Sequence, residues 1–460
     1  MAPEKRLGRR EFLAASAAAL GSSIVGCDGD DPVFDYGPPR PQPDPVSAEI
    51  SGDTELQIPT FGQPAVGAYS SSASTGAISL RIWTMEKDDD PFPGRWTEEL
   101  GGGINAEASF LRPGTYTVKL EVQGPRSISR TEHQTTIRPP SLPAKDYPLI
   151  AALGWDADPG VHVIYLMDPP SARAHRLVAS AGINGQTLTW ERTGERLALD
   201  GGFGNYVLVF NLLTDDLTTI SRGESLGRPS WNPKKDWIGA LEQGRALYGE
   251  PVLVRPDGSE ALYVAGETPS REVAGSYLSW APDGERLVLA GANFDVTGGL
   301  QDGWGWDRRA AIYEGFWSGG GATRVQIPTE DQIVALLDSY GDLTDLNRYF
   351  IFVGITGISW SPDGEELLYR LEYGVGAEGS RRMLAKSRVD GTGDIQVLVP
   401  HGSLDGFFSP KWSPDGKTVL FSGSPNMGEN SRTYRMSSEG GYPQEITDPN
   451  LSTSTIAWYQ

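Results

Sequence analysis

The 460-residue chain carries a formal charge of −21 and 38% hydrophobic residues, which argues against wholesale disorder and against a nucleic-acid partner. Its 57 Gly and 34 Pro follow no collagen period and point to short strands joined by many turns. One cysteine excludes a disulfide framework and a Cys-rich zinc site, and the length implies more than one folded unit.

Residues 1–26 read as an address. Arg9 and Arg10 precede Phe12 and Leu13, and an Ala-rich stretch over 14–25 follows that is too short to span a bilayer. The pattern predicts a twin-arginine export signal. Ile24-Val25-Gly26-Cys27 then resembles a bacterial lipobox. That resemblance implies cleavage before Cys27 and lipidation of its thiol, with several acyl chains anchoring the protein stably. The address holds four basic and two acidic residues, so its removal takes the charge to −23. Residues 27–46 are rich in Pro and Asp and predict an extended tether, at ~3 Å per residue.

Residues 47–140 predict a β-sandwich. Short alternating runs at 46–50, 55–58, 78–84, 115–122 and 131–137 are separated by Gly-, Pro- and Ser-rich turns. Pro113-Gly114-Thr115-Tyr116-Thr117-Val118, with Trp83 in an earlier strand and the serine-rich turn 70–74, resembles PKD-type immunoglobulin-like domains. The resemblance implies a spacer or adhesion module.

Residues 141–460 repeat. An apolar residue precedes Trp190, Trp231, Trp280, Trp360, Trp412 and Trp458 at short range, and the first five are followed by a turn and a short apolar strand. The turns at Trp280, Trp360 and Trp412 read Pro-Asp-Gly, in which Pro fixes φ, Asp bonds back to the backbone and Gly takes positive φ. The tryptophans suit a wedge between neighbouring units. Spacings of 41, 49, 80, 52 and 46 residues predict a six-bladed β-propeller. Trp458 supplies one strand of a last blade, and strands near 149–153, 162–167 and 175–178 supply its other three. The motifs resemble TolB-type propeller repeats, best at 360–369 and 412–424, over about two-thirds of the chain. The resemblance implies the fold and carries little about function.

Chemistry is harder to find. His133, His162, His175 and His401 show no metal-ligand spacing, and no G-x-S-x-G elbow appears. Asp156-Ala157-Asp158-Pro159-Gly160 lacks the spacing of a calcium loop. The sequence therefore predicts no catalytic residue, metal or cofactor. The 80-residue spacing contains Asp302, Trp304, Trp306, Asp307, Arg308 and Arg309 in a Gly-rich loop, a composition suited to ligand contact. Ile333, Val334, Leu336 and Leu337 predict a short capping helix.

The expectation is an all-β, lipid-anchored, monomeric protein of the bacterial cell envelope, with a non-catalytic propeller that binds a protein, peptide or glycan. The alternatives are a polysaccharide lyase or glycosidase built in the propeller funnel, and a purely structural envelope protein.

Overall fold

The computed structural model describes residues 45–58, 64–88, 90, 97–139, 150–156, 161–168, 173–180, 183–201, 206–222, 225–243, 249–263, 273–293, 307–308, 310–314, 325–327, 332, 335–336, 339, 351–375, 380–426, 429–446 and 452–458. The predicted export signal and Cys27 lie outside them.

Two sheets form the first β-unit. One pairs Ser51–Gly52, Ala65–Ser70 and Asn105–Phe110; the other pairs Glu55–Gln57, Ile128–Arg138, Gly114–Gln123, Leu80–Lys87 and Thr97–Gly101. Asn105–Phe110 alternates exposed and buried along its length, so Ala106, Ala108 and Phe110 face the core. Trp83 lies at the centre of that core, fully buried, and its indole N–H donates to the Gly103 carbonyl at 2.8 Å. The Tyr116 hydroxyl donates to the Arg112 carbonyl four residues upstream, the tyrosine-corner device of immunoglobulin-like sandwiches.

The run at 46–50 differs from its expectation of a strand. Apart from one bridge between Ser47 and Thr75, its amides bond to serine hydroxyls: Val46 to Ser127, Ala48 to Ser129 and Glu49 to Ser74. Serine oxygens satisfy the backbone there, in place of a strand ladder. The strands Ala65–Ser70, Thr97–Gly101 and Asn105–Phe110 have little apolar bulk, and the periodicity did not mark them.

The remaining described strands form a β-propeller: three separate four-stranded sheets, and one continuous 13-stranded sheet that contains three further four-stranded groups, numbered blades 1 to 6. From the inner strand outward, blade 1 is Ile183–Trp190, Arg196–Gly201, Tyr206–Asn211 and Leu217–Ile220. Blade 2 is Ser225–Trp231, Ile238–Gln243, Gly249–Val254 and Ala261–Tyr263. Blade 3 is Val273–Trp280, Arg286–Asn293, Ala310–Glu314 and Val325–Ile327. Blade 4 is Ile351–Trp360, Glu366–Val375, Ser380–Arg388 and Gln396–Val399. Blade 5 is Asp405–Trp412, Thr418–Ser424, Arg432–Ser437 and Gln444–Glu445. Blade 6 joins Ser452–Trp458 to Ile150–Asp156, Val161–Asp168 and Arg173–Ser180, so distant parts of the sequence share one sheet.

Local chemistry explains the regularity. In the turn after Trp280, the amide of Gly284 donates to the Ala281 carbonyl, and Asp283 accepts the amides of Glu285 and Arg286. Gly284 has φ +71°, and a Cβ there would come within 2.8 Å of the Asn232 and Lys234 side chains of blade 2, so any other residue meets both strain and a neighbour. The indoles of Trp190, Trp280 and Trp360 donate to the carbonyls of Ala457, Ser230 and Ser279, each in the preceding blade. The Trp190 bond joins blade 1 to blade 6 and so helps close the ring. Arg196 stacks 5.0 Å above Trp231 and Arg286 4.8 Å above Trp360, covering an aromatic face of the next blade.

The helical prediction near 333–337 meets helical residues at Gln332, Ala335, Leu336 and Ser339. Leu336 packs in the core with Ile355, Trp360 and Tyr369, and the Gln332 amide donates to the carbonyls of Gly391 and Gly393. This segment ties residues between blades 3 and 4 to the outer turn of blade 4.

The sandwich and propeller meet at a buried ion cluster. Arg112 donates to both oxygens of Asp215, at 2.6 and 3.0 Å, and to both oxygens of Asp90, at 2.9 and 3.2 Å. Lys87 adds a 2.8 Å contact to Asp215. The Arg112 guanidinium lies 5.2 Å from the Phe210 ring centroid, and Leu111 packs into the core of blade 1. Burial opposes the charge of Arg112, yet Asp215 and Asp90 together hold its pKa above the ordinary range.

Candidate ligand-binding channel

Side chains two residues apart on a strand face the same way, so each inner strand sends alternate residues toward the propeller axis. The residues immediately before the six tryptophans form one layer: Thr189, Ser230, Ser279, Ser359, Lys411 and Ala457. Those three before the tryptophans form a second: Thr187, Arg228, Tyr277, Gly357, Ser409 and Thr455. Every blade has a register slip in its inner strand near these layers. Arg228, Gly357 and Ser409 take positive φ at the slips, 57°, 63° and 47°. Such bulges turn side chains inward and close the bore.

The two layers make different spaces. The first lines a cavity of about 270 Å³, walled by Trp190, Trp231, Trp280, Trp360 and Trp458. The second narrows it to about 30 Å³. The channel is a well with a wide mouth on the side of the Pro-Asp-Gly turns and a constriction beneath.

Its electrostatics oppose those of the whole chain. Arg192 and Lys234 stand exposed at the mouth and Lys411 in the wall. Glu191 also lines the mouth, with its two carboxylate oxygens held by Arg196 at 2.6 and 2.8 Å. In the constriction, Arg228 stacks 4.7 Å from the Tyr277 ring, and its amide donates to buried Asp200 at 2.5 Å. Burial raises Asp200 to about 6, against the opposing pull of Arg228 and Thr187. Lys411 has no hydrogen-bond or ion-pair partner among the described residues, and burial pushes its ammonium down to about 8.

The sequence-nominated contact loop fares differently. Asp302, Trp304, Trp306 and Arg309 lie outside the described residues. Asp307–Arg308 forms a short strand, pairing with Asn293 and, in parallel, with Val353 and Gly354. Those partners stand near the start of the inner strand of blade 4, about 20 Å along it from Trp360. The loop's described part therefore lies at the opposite end of the channel from the Trp-walled mouth. Among the histidines, His133 edges Tyr69 in the sandwich and meets the Asp53 carbonyl. Burial lowers the pKa of His162 in blade 6.

Of the six repeat tryptophans, Trp412 is the one that does not border the larger cavity; it is buried between blades beneath Lys386. Lys411 was missed by sequence reasoning. A signal was present: Thr, Ser, Ser, Ser and Ala precede the other five tryptophans, and a lysine interrupts that series of small residues.

No family model matches the chain, and no curated protein matches it. Among solved structures, TolB from Acinetobacter baumannii superposes with a TM-score of 0.50 at 12% identity, over 75% of this chain and 79% of that one. The β-propeller domain of the Trilobed protease from Pyrococcus furiosus aligns at 14% identity and a TM-score of 0.38, over 88% of this chain and 99% of that one. The architecture is all-β and TolB-like in its propeller.

Proposed function

We propose that the chain is an exported, lipid-anchored binding protein of the bacterial cell envelope, with Cys27 as anchor, 27–46 as tether, the sandwich as a PKD-like spacer and the propeller as the binding module. The observation that carries the binding role is the Trp-walled well, a cationic recess whose Lys411 has no ion-pair partner among the described residues, in a strongly acidic chain. A concave site with apolar walls and a few placed polar groups is the usual form of a ligand pocket. The partner class is a protein, peptide or glycan of the envelope. The loop at 298–309 is a second candidate contact surface on composition.

Two measurements test the two halves of the proposal. Cys27→Ser abolishes fatty-acid labelling in cells and releases the protein from membranes; persistent labelling overturns the anchor. Arg192→Glu with Lys234→Glu, two exposed residues at the mouth, weakens capture of a partner from envelope extracts while circular dichroism stays unchanged. Undiminished capture by that folded double variant removes the well from the binding role.

A further inference from the structure

We propose that the propeller well is a carboxylate site, in which the Lys411 ammonium and the hydroxyls of Thr189, Ser230, Ser279 and Ser359 receive a single carboxylate entering from the Trp-walled mouth. The inference rests on reading the propeller as a binding module and names what that module takes.

Three observations converge. Lys411 is the one strongly basic group in a layer otherwise made of hydroxyls and a methyl, so charge and hydrogen-bond donors meet in one ring. Hydroxyls donate to an anion without adding charge, and a carboxylate accepts several such bonds at once. The two buried cations among the described residues are matched: Arg112 has two carboxylates, and Lys386 reaches Glu366 at 3.2 Å and Glu439 at 3.5 Å. Lys411 has no such partner among the described residues, and a ligand carboxylate supplies the missing charge.

The surroundings fix the sign and size of the ligand. Arg192 and Lys234 face the mouth, and the one carboxylate there, Glu191, is neutralised by Arg196. Below, the Arg228 guanidinium stacks on Tyr277 in the constriction while its backbone amide bonds buried Asp200, so Lys411 is the cation in the wall of the wider space. A volume of about 270 Å³ corresponds to roughly nine waters at bulk density, room for a carboxylate on a slender chain and too little for a folded surface. The constriction of about 30 Å³ stops the ligand at the depth of Lys411.

The shared chemistry fits a free small acid or the C-terminus of a peptide, and titration calorimetry on the full chain in detergent separates them. The probes are succinate, N-acetyl-glycyl-glycine and the C-terminal amide of that peptide. The carboxylates bind and the amide binds at least tenfold more weakly; Lys411→Met loses about 10- to 100-fold in affinity. Above pH 8, wild-type affinity falls toward tenfold per pH unit as Lys411 deprotonates, whereas Lys411→Arg holds its affinity up to pH 10. Preference for succinate identifies a free acid, and preference for the peptide identifies a chain terminus; both support the site. Equal binding by folded Lys411→Met, or no binding by either carboxylate at 50 mM, overturns it. If Lys411→Met still captures its envelope partner in either case, the binding module stands and only the carboxylate assignment falls.

Discussion

Arg112 and Lys411 are both cations held within the fold, one buried and the other half-buried in the wall of the well. Arg112, at the junction of sandwich and propeller, meets four carboxylate oxygens and stays charged far beyond neutral pH. Lys411 lies in a ring with hydroxyl side chains and has no carboxylate partner among the described residues, and desolvation pushes its pKa down to about 8. A buried charge with its counter-charge present is complete, and it fixes two parts of the fold against each other. A partly desolvated charge without one costs stability until something arrives to match it, which is the behaviour expected of a binding site.

The contrast breaks hardest at the junction. Asp215→Ala leaves Arg112 and Lys87 without their shared partner and is expected to destabilise the chain by about 3–5 kcal/mol in denaturant titration.

The second test is in the well and carries the opposite sign. The unfolded chain keeps the Lys411 proton to about pH 10.5, while the folded chain releases it near 8. Stability therefore rises with pH across that window, and the full penalty applies below it. Lys411→Met should stabilise the ligand-free protein at pH 7 by about 1–3 kcal/mol, and thermal melts should show the gain shrinking between pH 8 and 10.5.

Asp200 gives a smaller effect by the same logic. Its folded pKa of about 6 exceeds the ordinary 3.8, so the native state holds a proton that the unfolded chain has released. Stability falls as pH rises through that interval. Asp200→Asn should stabilise by about 1–2 kcal/mol at pH 7 and be neutral near pH 4, as melts at both pH values would show. The smallest change is at the mouth: Arg192→Ala with Lys234→Ala should weaken carboxylate binding about 2- to 5-fold at low salt and hardly at all in 0.5 M salt.

The part of this architecture that was legible from sequence is the part built by neighbours in the chain. Pro-Asp-Gly after each of three tryptophans specifies a turn by local φ preferences and one Asx bond, so the blades could be counted along the sequence. The shared blade followed from Trp458 beginning a unit that it does not finish. The junction was not legible, because Arg112 and Asp215 are 103 residues apart and neither stands in a motif. The well needed six inner strands placed around one axis before the residues ahead of each tryptophan became a ring. Aromatic and charged density along the sequence points to 302–309, of which Asp307–Arg308 alone lies among the described residues, whereas a single lysine among small side chains gains meaning only once the ring is assembled.

The strand Ser452–Trp458 also determines when the molecule is finished. It pairs with Ile150–Asp156 across about 300 residues, the costliest kind of contact to form early in folding. Until that strand arrives, the edge at 150–156 offers unpaired amides and carbonyls, and Trp190 lacks the Ala457 carbonyl it bonds to. Every other blade can assemble from consecutive strands while this one waits. The well is bounded by Ala457 and Trp458, so one of its walls comes from the strand that closes the ring. Binding competence therefore reports that the ring has closed.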